Sequence, residues 1–190
     1  STWQQFTPQG PRAFLPLYRN FASLVWYDSV SRIRQLVKMT PEQLTEEVSR
    51  HFPSRLGKVR VLSAGAFPLT RRHASQYVRP GLALVGDAAH TINPLAGQGV
   101  NLGYRDVDAL IEVLADAKRT GSEWWQMSVL KRYQRKRYKD NLLMQNGMDL
   151  FYLAFSNQSH PLMLARNLGL MVAQRGGWLK KKALSYALGL

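Results

Sequence analysis

The sequence predicts an α/β fold, or an α+β fold if the chain is a fragment of a larger protein. Short apolar runs with aromatic residues occupy the first part of the chain, which is typical of strands. Near the middle, the apolar run Leu82–Val85 ends in Gly-Asp and leads through a Pro/Gly loop into an amphipathic helix. Helical spacing then dominates. Strands followed by helices suit the back half of a larger α/β protein better than a complete small fold.

Composition limits the function classes. The 190 residues are 45% hydrophobic, which suffices for one substantial core. The absence of cysteine excludes disulfides, thiolate metal sites and a cysteine nucleophile. Four scattered histidines show no metal-ligand spacing, so no metal site is predicted. The first residue is Ser1 rather than Met, which favours a piece of a longer protein, although a processed or tagged start gives the same result.

The formal charge of +14 is unevenly placed. Six cations lie between Lys131 and Lys139, and no acidic residue follows Asp149. Such a bias indicates an anionic partner, which is a membrane, an acidic protein or a nucleic acid. No helix-turn-helix, zinc or ribonucleoprotein-type motif accompanies the charge, so nucleic acid is not a predicted partner.

Local signals divide the first eighty residues. Residues 11–18 and 21–28 predict a hairpin. The sequence Thr-Pro-Glu-Gln at 40–43 predicts a helix start, with the helix running to about His51. A further strand is expected over 59–69. Arg-Pro-Gly at 79–81 predicts a turn into the strand that ends in Gly-Asp.

Helices are predicted after the Pro/Gly loop. The first runs from Gly97 to near Gly121, and a second from near Glu123 to about Phe155, with a break or bend near Gly147. A third begins at His160. The expected buried face of the first helix consists of Val100, Tyr104, Val107, Leu110, Ile111 and Leu114.

The central motif predicts one wall of a flavin site. Gly86 lets the backbone pass close to a ligand, and Asp87 stands at the carboxyl end of a strand, where it can accept hydrogen bonds from a ribityl chain. Gly97 and Gly99 leave bare amides at a helix N-terminus, which favours negative charge. A reduced isoalloxazine ring carries such a charge.

These residues resemble a known family. Gly86-Asp87 resembles the second FAD motif of the aromatic-hydroxylase flavoproteins, and residues 93–106, Asn-Pro-Leu-Ala-Gly-Gln-Gly-Val-Asn-Leu-Gly-Tyr-Arg-Asp, resemble the signature of the ubiquinone-biosynthesis hydroxylases. That family usually has His where this chain has Asn93. The departure, with flanking runs at 10–17 and 66–73, is similar to one branch, the 2-octaprenyl-3-methyl-6-methoxy-1,4-benzoquinol hydroxylases. The resemblance covers nearly the whole chain.

The resemblance implies the C-terminal half of an aromatic-hydroxylase-type FAD/NAD(P)-binding fold. Residues 1–80 would belong to the substrate-binding sheet domain, 81–120 to the FAD-binding domain and 121–190 to a helical C-terminal region. Asp87 would hold the ribityl chain, and Val100 would contribute a backbone N–H. The implied cofactor-binding residues are Gly86, Asp87, Pro94, Gly97, Gln98, Gly99, Val100 and Asn101.

The implied reaction is hydroxylation of a polyprenylated benzoquinol ring, with NAD(P)H reducing FAD and a C4a-hydroperoxyflavin donating oxygen. No catalytic side chain is assigned. The first FAD motif, Gly-x-Gly-x-x-Gly, is missing among all 14 glycines. The isolated chain is therefore expected to bind FAD weakly or not at all and not to turn over. The implied location is cytoplasmic and peripheral to the inner membrane, with proteins of a ubiquinone-biosynthesis complex as further partners.

Two other functions stay open. One is a non-catalytic module that binds a membrane or partner proteins of a ubiquinone-synthesis complex, and the other is a different FAD enzyme, such as an epoxidase or a prenyl reductase. Trp124, Trp125, Leu130 and Tyr133 interleave with cations, which suits either an interfacial helix or a core helix with a basic face. His90 is either a base or, as favoured here, a histidine that holds the turn.

Apolar residues of the predicted hairpin are candidates for the lining of a pocket for the prenylated ring, although the core interpretation is favoured. These are Phe14, Pro16, Leu17, Leu24 and Trp26.

Overall fold

The computed structural model describes residues 1–93 and 97–156, together with Asn167, Met171 and Gly177. Pro94 and the predicted helix from His160 therefore lie outside the described residues. The chain divides into one compact unit that includes residues 1–68 and a second that includes residues 69–154. Strands and helices are mixed, as the predicted fold class requires.

The first unit begins with an antiparallel sheet. Its strands are β1 (Trp3–Thr7), β2 (Gly10–Pro16) and β3 (Ala22–Trp26), in the order β1-β2-β3. The hairpin predicted from the two apolar runs is therefore confirmed as β2 and β3. The sheet is followed by α1 (Val30–Leu36) and α2 (Pro41–His51), of which α1 was not predicted.

Helix α2 starts where its sequence predicts. The Thr40 hydroxyl accepts a hydrogen bond from the Gln43 backbone N–H, and the Gln43 side chain accepts one from the Thr40 N–H. This reciprocal capping satisfies two amides that the helix itself leaves unpaired. The residues that follow contribute Phe52, whose ring lies edge-on to Trp3 and Trp26 in the aromatic core of this unit.

The strand expected over residues 59–69 is wrong. That segment has no regular secondary structure, and Leu62 and Phe67 are exposed. A strand needs a neighbour to pair with its N–H and C=O groups, and no described strand pairs with this segment.

The candidate pocket-lining residues of the hairpin take mixed positions. Phe14 stacks on Trp3 with ring centroids 5.9 Å apart, while Leu17 is exposed. A role in binding a prenylated ring stays a prediction.

The second unit combines two short strand pairs with two long helices. Strands β4 (Arg72–His73) and β7 (His90–Thr91) pair, as do β5 (Val78–Arg79) and β6 (Leu82–Ala83). A single 3-10 turn, Gly86–Ala88, follows β6. The helices are α3 (Gly99–Arg119) and α4 (Met127–Ser156).

The predicted extent of α3 is confirmed, but its predicted buried face is only partly right. Leu110 and Leu114 pack against the core, whereas four of the six predicted residues are exposed. Val100 and Tyr104 are 67% and 66% exposed, and Ile111 is exposed as well. The face turned to the core consists of Leu102, Asp106, Ala109, Val113 and Ala117. On two sides of this helix, mostly apolar residues recur every three or four positions. The observed buried side has the smaller residues, such as Ala109 and Ala117, which let neighbouring elements pack closely. The spacing of apolar residues alone does not distinguish the two sides.

The second helix was predicted to break or bend near Gly147. The break is wrong, because α4 runs without interruption through Gly147, and the bend stays a prediction. A glycine in a helix interior costs only about 1 kcal/mol relative to alanine, which is too little by itself to end a helix. Leu130 and Tyr133 of α4 are buried together with Tyr77 and Val113. Within the described part of the chain, no helix is both long and apolar enough to cross a bilayer.

Candidate functional site

The Gly86–Ala88 turn lies against the beginning of α3. Gly86 has φ +57°, and a Cβ built on it would stand 3.7 Å from the Cα of Gly103. Gly103 lies four residues after the first residue of α3, which is about 6 Å along the helix axis. The close backbone approach therefore places Asp87 near the helix N-terminus.

The N-terminus of α3 has no side-chain cap among the described residues. Its N-cap residue, Gln98, makes no capping hydrogen bond with its side chain, and the first turn contains no acidic residue. No atom of the described residues lies within 4 Å of a Cβ built on Gly97 or Gly99. No side chain of the described residues therefore caps the amides of this turn, and the helix dipole favours an anionic group beside them.

The Asp87 carboxylate is exposed and has no hydrogen-bond or ion-pair partner among the described residues. A carboxylate accepts hydrogen bonds and donates none, so its natural partners are hydroxyl or amide donors. The structure therefore brings a carboxylate that has no partner among the described residues close to a helix N-terminus that has no side-chain cap.

Behind the turn lies a buried carboxylate, Asp106, which is 0% exposed. Its Oδ2 atom accepts hydrogen bonds from the Gly86 backbone N–H at 3.0 Å and from His90 Nε2 at 2.5 Å. Its Oδ1 atom accepts from Arg137 Nε at 2.7 Å and from Asn141 Nδ2 at 3.0 Å. One side chain of α3 thus joins the turn, β7 and α4.

Burial alone raises the pKa of Asp106, because it disfavours the charged form. The hydrogen bonds from His90, Asn141, Arg137 and the Gly86 amide outweigh burial and hold the pKa below its ordinary value. The group is therefore a carboxylate at neutral pH. Arg137 supplies the opposite charge and also pairs with Asp140.

The buried network continues away from Asp106. Asn141 Nδ2 lies 3.4 Å from the Tyr77 hydroxyl, which lies 3.3 Å from His73 Nε2. His73 Nδ1 in turn lies 3.0 Å from Gln145 Oε1. Burial raises the pKa of Tyr77 to about 12 and lowers the pKa of His73, so both groups are neutral at pH 7. The turn and α4 are thus joined by polar contacts as well as by apolar packing.

The predicted site residues that the structure describes gather at one place. Gly86 and Asp87 form the turn, and the others form the start of α3, namely Gly97, Gln98, Gly99, Val100 and Asn101. Asn101 Nδ2 donates to Gln98 Oε1 at 3.1 Å across this first turn. Pro94 lies outside the described residues. The roles of these residues toward a flavin stay predictions.

Two residues near the motif take structural positions. His90 is buried and hydrogen-bonded to Asp106, which supports the interpretation that it holds the turn. Asp106 itself was given no role from the sequence. Its signal was its position on the α3 face, four residues after Leu102 and three before Ala109, since a buried carboxylate always needs partners. In the described residues, no cluster of His, Asp or Glu suits a metal ion.

Comparison with known proteins shows the family to which this chain belongs. The sequence profile of the FAD binding domain matches residues 2–141. The chain belongs to the FAD-binding domain family. It is 70% identical over 190 residues to 3-demethoxyubiquinol 3-hydroxylase of Escherichia coli (strain K12), and the match covers 100% of the chain and 49% of that protein. It is 40% identical over 187 residues to ubiquinone hydroxylase UbiL of Rhodospirillum rubrum, covering 98% of the chain and 44% of the relative.

A solved structure has a similar fold. The crystal structure of PqsL, a probable FAD-dependent monooxygenase from Pseudomonas aeruginosa, matches 83% of this chain and 48% of that protein, with a TM-score of 0.66 and 23% identity. At that identity the likeness establishes the fold alone. This member of the family spans about half the length of the curated relatives that it matches.

The chemistry of the residues at the Gly86–Ala88 turn and the start of α3 suits part of the FAD cofactor. The unpaired Asp87 carboxylate suits the hydroxyls of a ribityl chain, and the open turn around Gly97 and Gly99 leaves room for a ring beside backbone donors. Asn93 Oδ1 is buried and lacks a hydrogen-bond partner among the described residues, so a further donor is needed there.

Proposed function

We propose that this chain supplies the ribityl- and ring-binding part of an FAD-dependent monooxygenase that hydroxylates a polyprenylated quinol ring in ubiquinone biosynthesis. The observation that carries the proposal is the packing of the Gly86–Ala88 turn on the open N-terminus of α3. The substrate class is supported by the 70% identity to a relative named for the hydroxylation of demethoxyubiquinol.

Each part of the site then has a task. Asp87 accepts hydrogen bonds from ribityl hydroxyls and so fixes the cofactor along the turn. The amides of residues 97–101 would hold the ring by hydrogen bonds, and the positive end of the α3 dipole would stabilise negative charge on it. The chemistry that FAD supplies when bound is the oxidation of NAD(P)H and the activation of O₂. An electron-rich quinol needs no acid–base side chain from this unit, and none is assigned.

A hybrid enzyme tests this proposal. The chain replaces the 190 residues that it matches in the E. coli hydroxylase, so that the rest of that enzyme completes the fold. The hybrid is expected to purify with bound FAD and to hydroxylate demethoxyubiquinol when NAD(P)H is supplied. A folded hybrid that neither binds FAD nor hydroxylates the quinol contradicts the proposal.

Asp87→Ala in the hybrid isolates the proposed contact. Loss of hydrogen bonds to a charged acceptor costs about 1.5–3 kcal/mol, so the Kd for FAD is expected to rise by about 10- to 150-fold. Because Asp87 has no partner among the described residues, the thermal stability without FAD should not change. The matched control is Asp108→Ala, which removes another exposed carboxylate of the same unit that has no partner among the described residues. The control should keep the original Kd.

A second proposed role is contact with an anionic membrane surface, which would hold the protein at the periphery of the inner membrane. Its support is the pair Trp124 and Trp125, which are 54% and 44% exposed and follow the cations Lys118 and Arg119. Leu130 belongs to the core, so the described part of the basic stretch is a core helix with a basic outer face. The rest of the basic end lies outside the described residues.

Liposome sedimentation separates the proposed partners. Salt-sensitive binding to vesicles that contain anionic lipid, reduced by Trp124→Ala with Trp125→Ala, supports the membrane role. Equally strong binding to neutral vesicles opposes the membrane role. A gel shift of DNA without binding to anionic vesicles opposes it as well. Absence of binding to any vesicle leaves proteins of a ubiquinone-biosynthesis complex as the partners to be tested by co-purification.

A further inference from the structure

We infer that Asp106 is a positioning residue of the cofactor site, which holds the Gly86–Ala88 turn so that Asp87 stands beside the first turn of α3. The inference rests on the proposed function, because the turn matters only if Asp87 binds FAD. Asp106 itself is fully buried and acts on the turn through the Gly86 backbone amide.

The two oxygens of Asp106 serve different parts of the unit. Oδ2 accepts from the Gly86 amide and from His90, which lie on either side of the turn. Oδ1 accepts from Arg137 and Asn141, which lie on α4. The side chain of one residue on α3 therefore sets where the turn sits relative to both helices.

The geometry requires a carboxylate at this position. All four neighbours act as donors, and a carboxylate is the side chain that only accepts, with about four lone-pair sites. An asparagine would turn its oxygen toward Arg137, whose charge demands an acceptor, and its NH₂ toward the Gly86 N–H. Two donors would then face each other, and the turn would lose its anchor.

The same contacts make Asp106→Asn a selective change. Arg137 keeps its ion pair with Asp140 and its hydrogen bond of 2.6 Å to Asn141 Oδ1, so its charge stays partnered. The variant is therefore expected to fold with reduced stability and with the turn released. If Asp106 served stability alone, its replacement would release the Gly86–Ala88 turn no more than the replacement of another residue of the same hydrogen-bond network.

The matched control is Asn141→Ala. Asn141 is also fully buried and donates a hydrogen bond from Nδ2 to Asp106 Oδ1, whereas the Gly86 amide donates to Asp106 Oδ2. Its removal leaves a cavity and lowers the melting temperature, while the Gly86 N–H keeps its acceptor. The two variants thus share a loss of stability and differ in the anchor of the turn.

Two measurements test the inference. The first is amide hydrogen exchange by NMR on the chain itself, which needs no cofactor. In Asp106→Asn, the protection factor of the Gly86 amide is expected to fall about tenfold or more relative to the protection factors of the α4 amides. In Asn141→Ala, the Gly86 amide is expected to change no more than the α4 amides do. The second is the Kd for FAD of the hybrid enzyme, expected to rise about tenfold or more in Asp106→Asn and to stay within about threefold in the control.

The outcomes separate the inference from the proposed function. If the hybrid binds FAD and Asp106→Asn keeps both the original Kd and the Gly86 protection, the inference is overturned and the proposed function stands. If both variants weaken FAD binding equally, Asp106 is structural only and the inference is again overturned. If the unsubstituted hybrid binds no FAD, both fail together.

A second variant covers the case in which Asp106→Asn does not fold. Asp106→Leu with Arg137→Met removes both buried charges at once, and such apolar replacements of buried ion pairs are often close to neutral in stability. No acceptor then remains for the Gly86 amide. The same loss of protection and of FAD affinity is expected, and retention of both overturns the inference.

Discussion

Replacement of the two glycines that meet at the site should have opposite effects on stability. Gly86 has φ +57°, a conformation that costs an alanine about 1–2 kcal/mol. Space does not add to this cost, because the new Cβ would lie 3.7 Å from the Gly103 Cα, an ordinary contact distance. Gly86→Ala is therefore expected to lower the free energy of unfolding by about 1–2 kcal/mol, or the melting temperature by about 2–8 °C.

Gly103→Ala should be neutral or stabilising. Gly103 lies within α3, where alanine is favoured over glycine by about 1 kcal/mol. Its Cβ would meet the Gly86 Cα at 3.5 Å, which is again an ordinary contact. The free energy of unfolding is expected to stay the same or to rise by up to about 1 kcal/mol.

Urea denaturation followed by circular dichroism measures these changes, provided that the slope of the transition stays constant. Gly81→Ala is the matched control, because Gly81 has φ +73° in the β5–β6 turn and no atom within 4 Å of a built Cβ. It should lose as much stability as Gly86→Ala but leave the FAD affinity of the hybrid unchanged. The reasoning is refuted if Gly86→Ala is as stable as the original chain, or if Gly103→Ala loses more than about 1 kcal/mol.

Three further outcomes are expected. Thr40→Ala removes the capping box of α2 and should lower the free energy of unfolding by about 1 kcal/mol, measured by urea denaturation, and an unchanged midpoint would contradict the role of the cap. Tyr133→Phe leaves the Leu84 carbonyl without its 2.7 Å donor and should cost about 1–3 kcal/mol in the same assay, whereas a cost below this range would mean that water replaces the hydroxyl. The pKa of Asp106 is lower in the folded than in the unfolded chain. Its contribution to the free energy of unfolding is therefore complete above the unfolded pKa near 4 and is lost as the pH falls below that value. Between pH 7 and pH 3, the melting temperature of the original chain should fall more steeply than that of Asp106→Asn.

Short-range patterns determined much of this protein. The capping sequence of α2, the β2–β3 hairpin and the bounds of α3 each depend on residues only a few positions apart, and all were predictable. The importance of Gly86 as a point of close backbone approach was predicted as well, although the strand before it is only Leu82–Ala83 and Gly86 lies in a 3-10 turn. Family membership could also be recognised from these local motifs, and the sequence profile confirms it.

Long-range contacts decided the rest. The side of α3 that is buried depends on α4, and the partners of Asp106 on α4 lie 31 and 35 positions away along the chain. Residues 59–69 have the composition of a strand but find no strand to pair with in the described structure. Periodicity tells which residues share a face, and only the packed chain shows which face meets a neighbour, because burial is a property of the neighbour as much as of the helix.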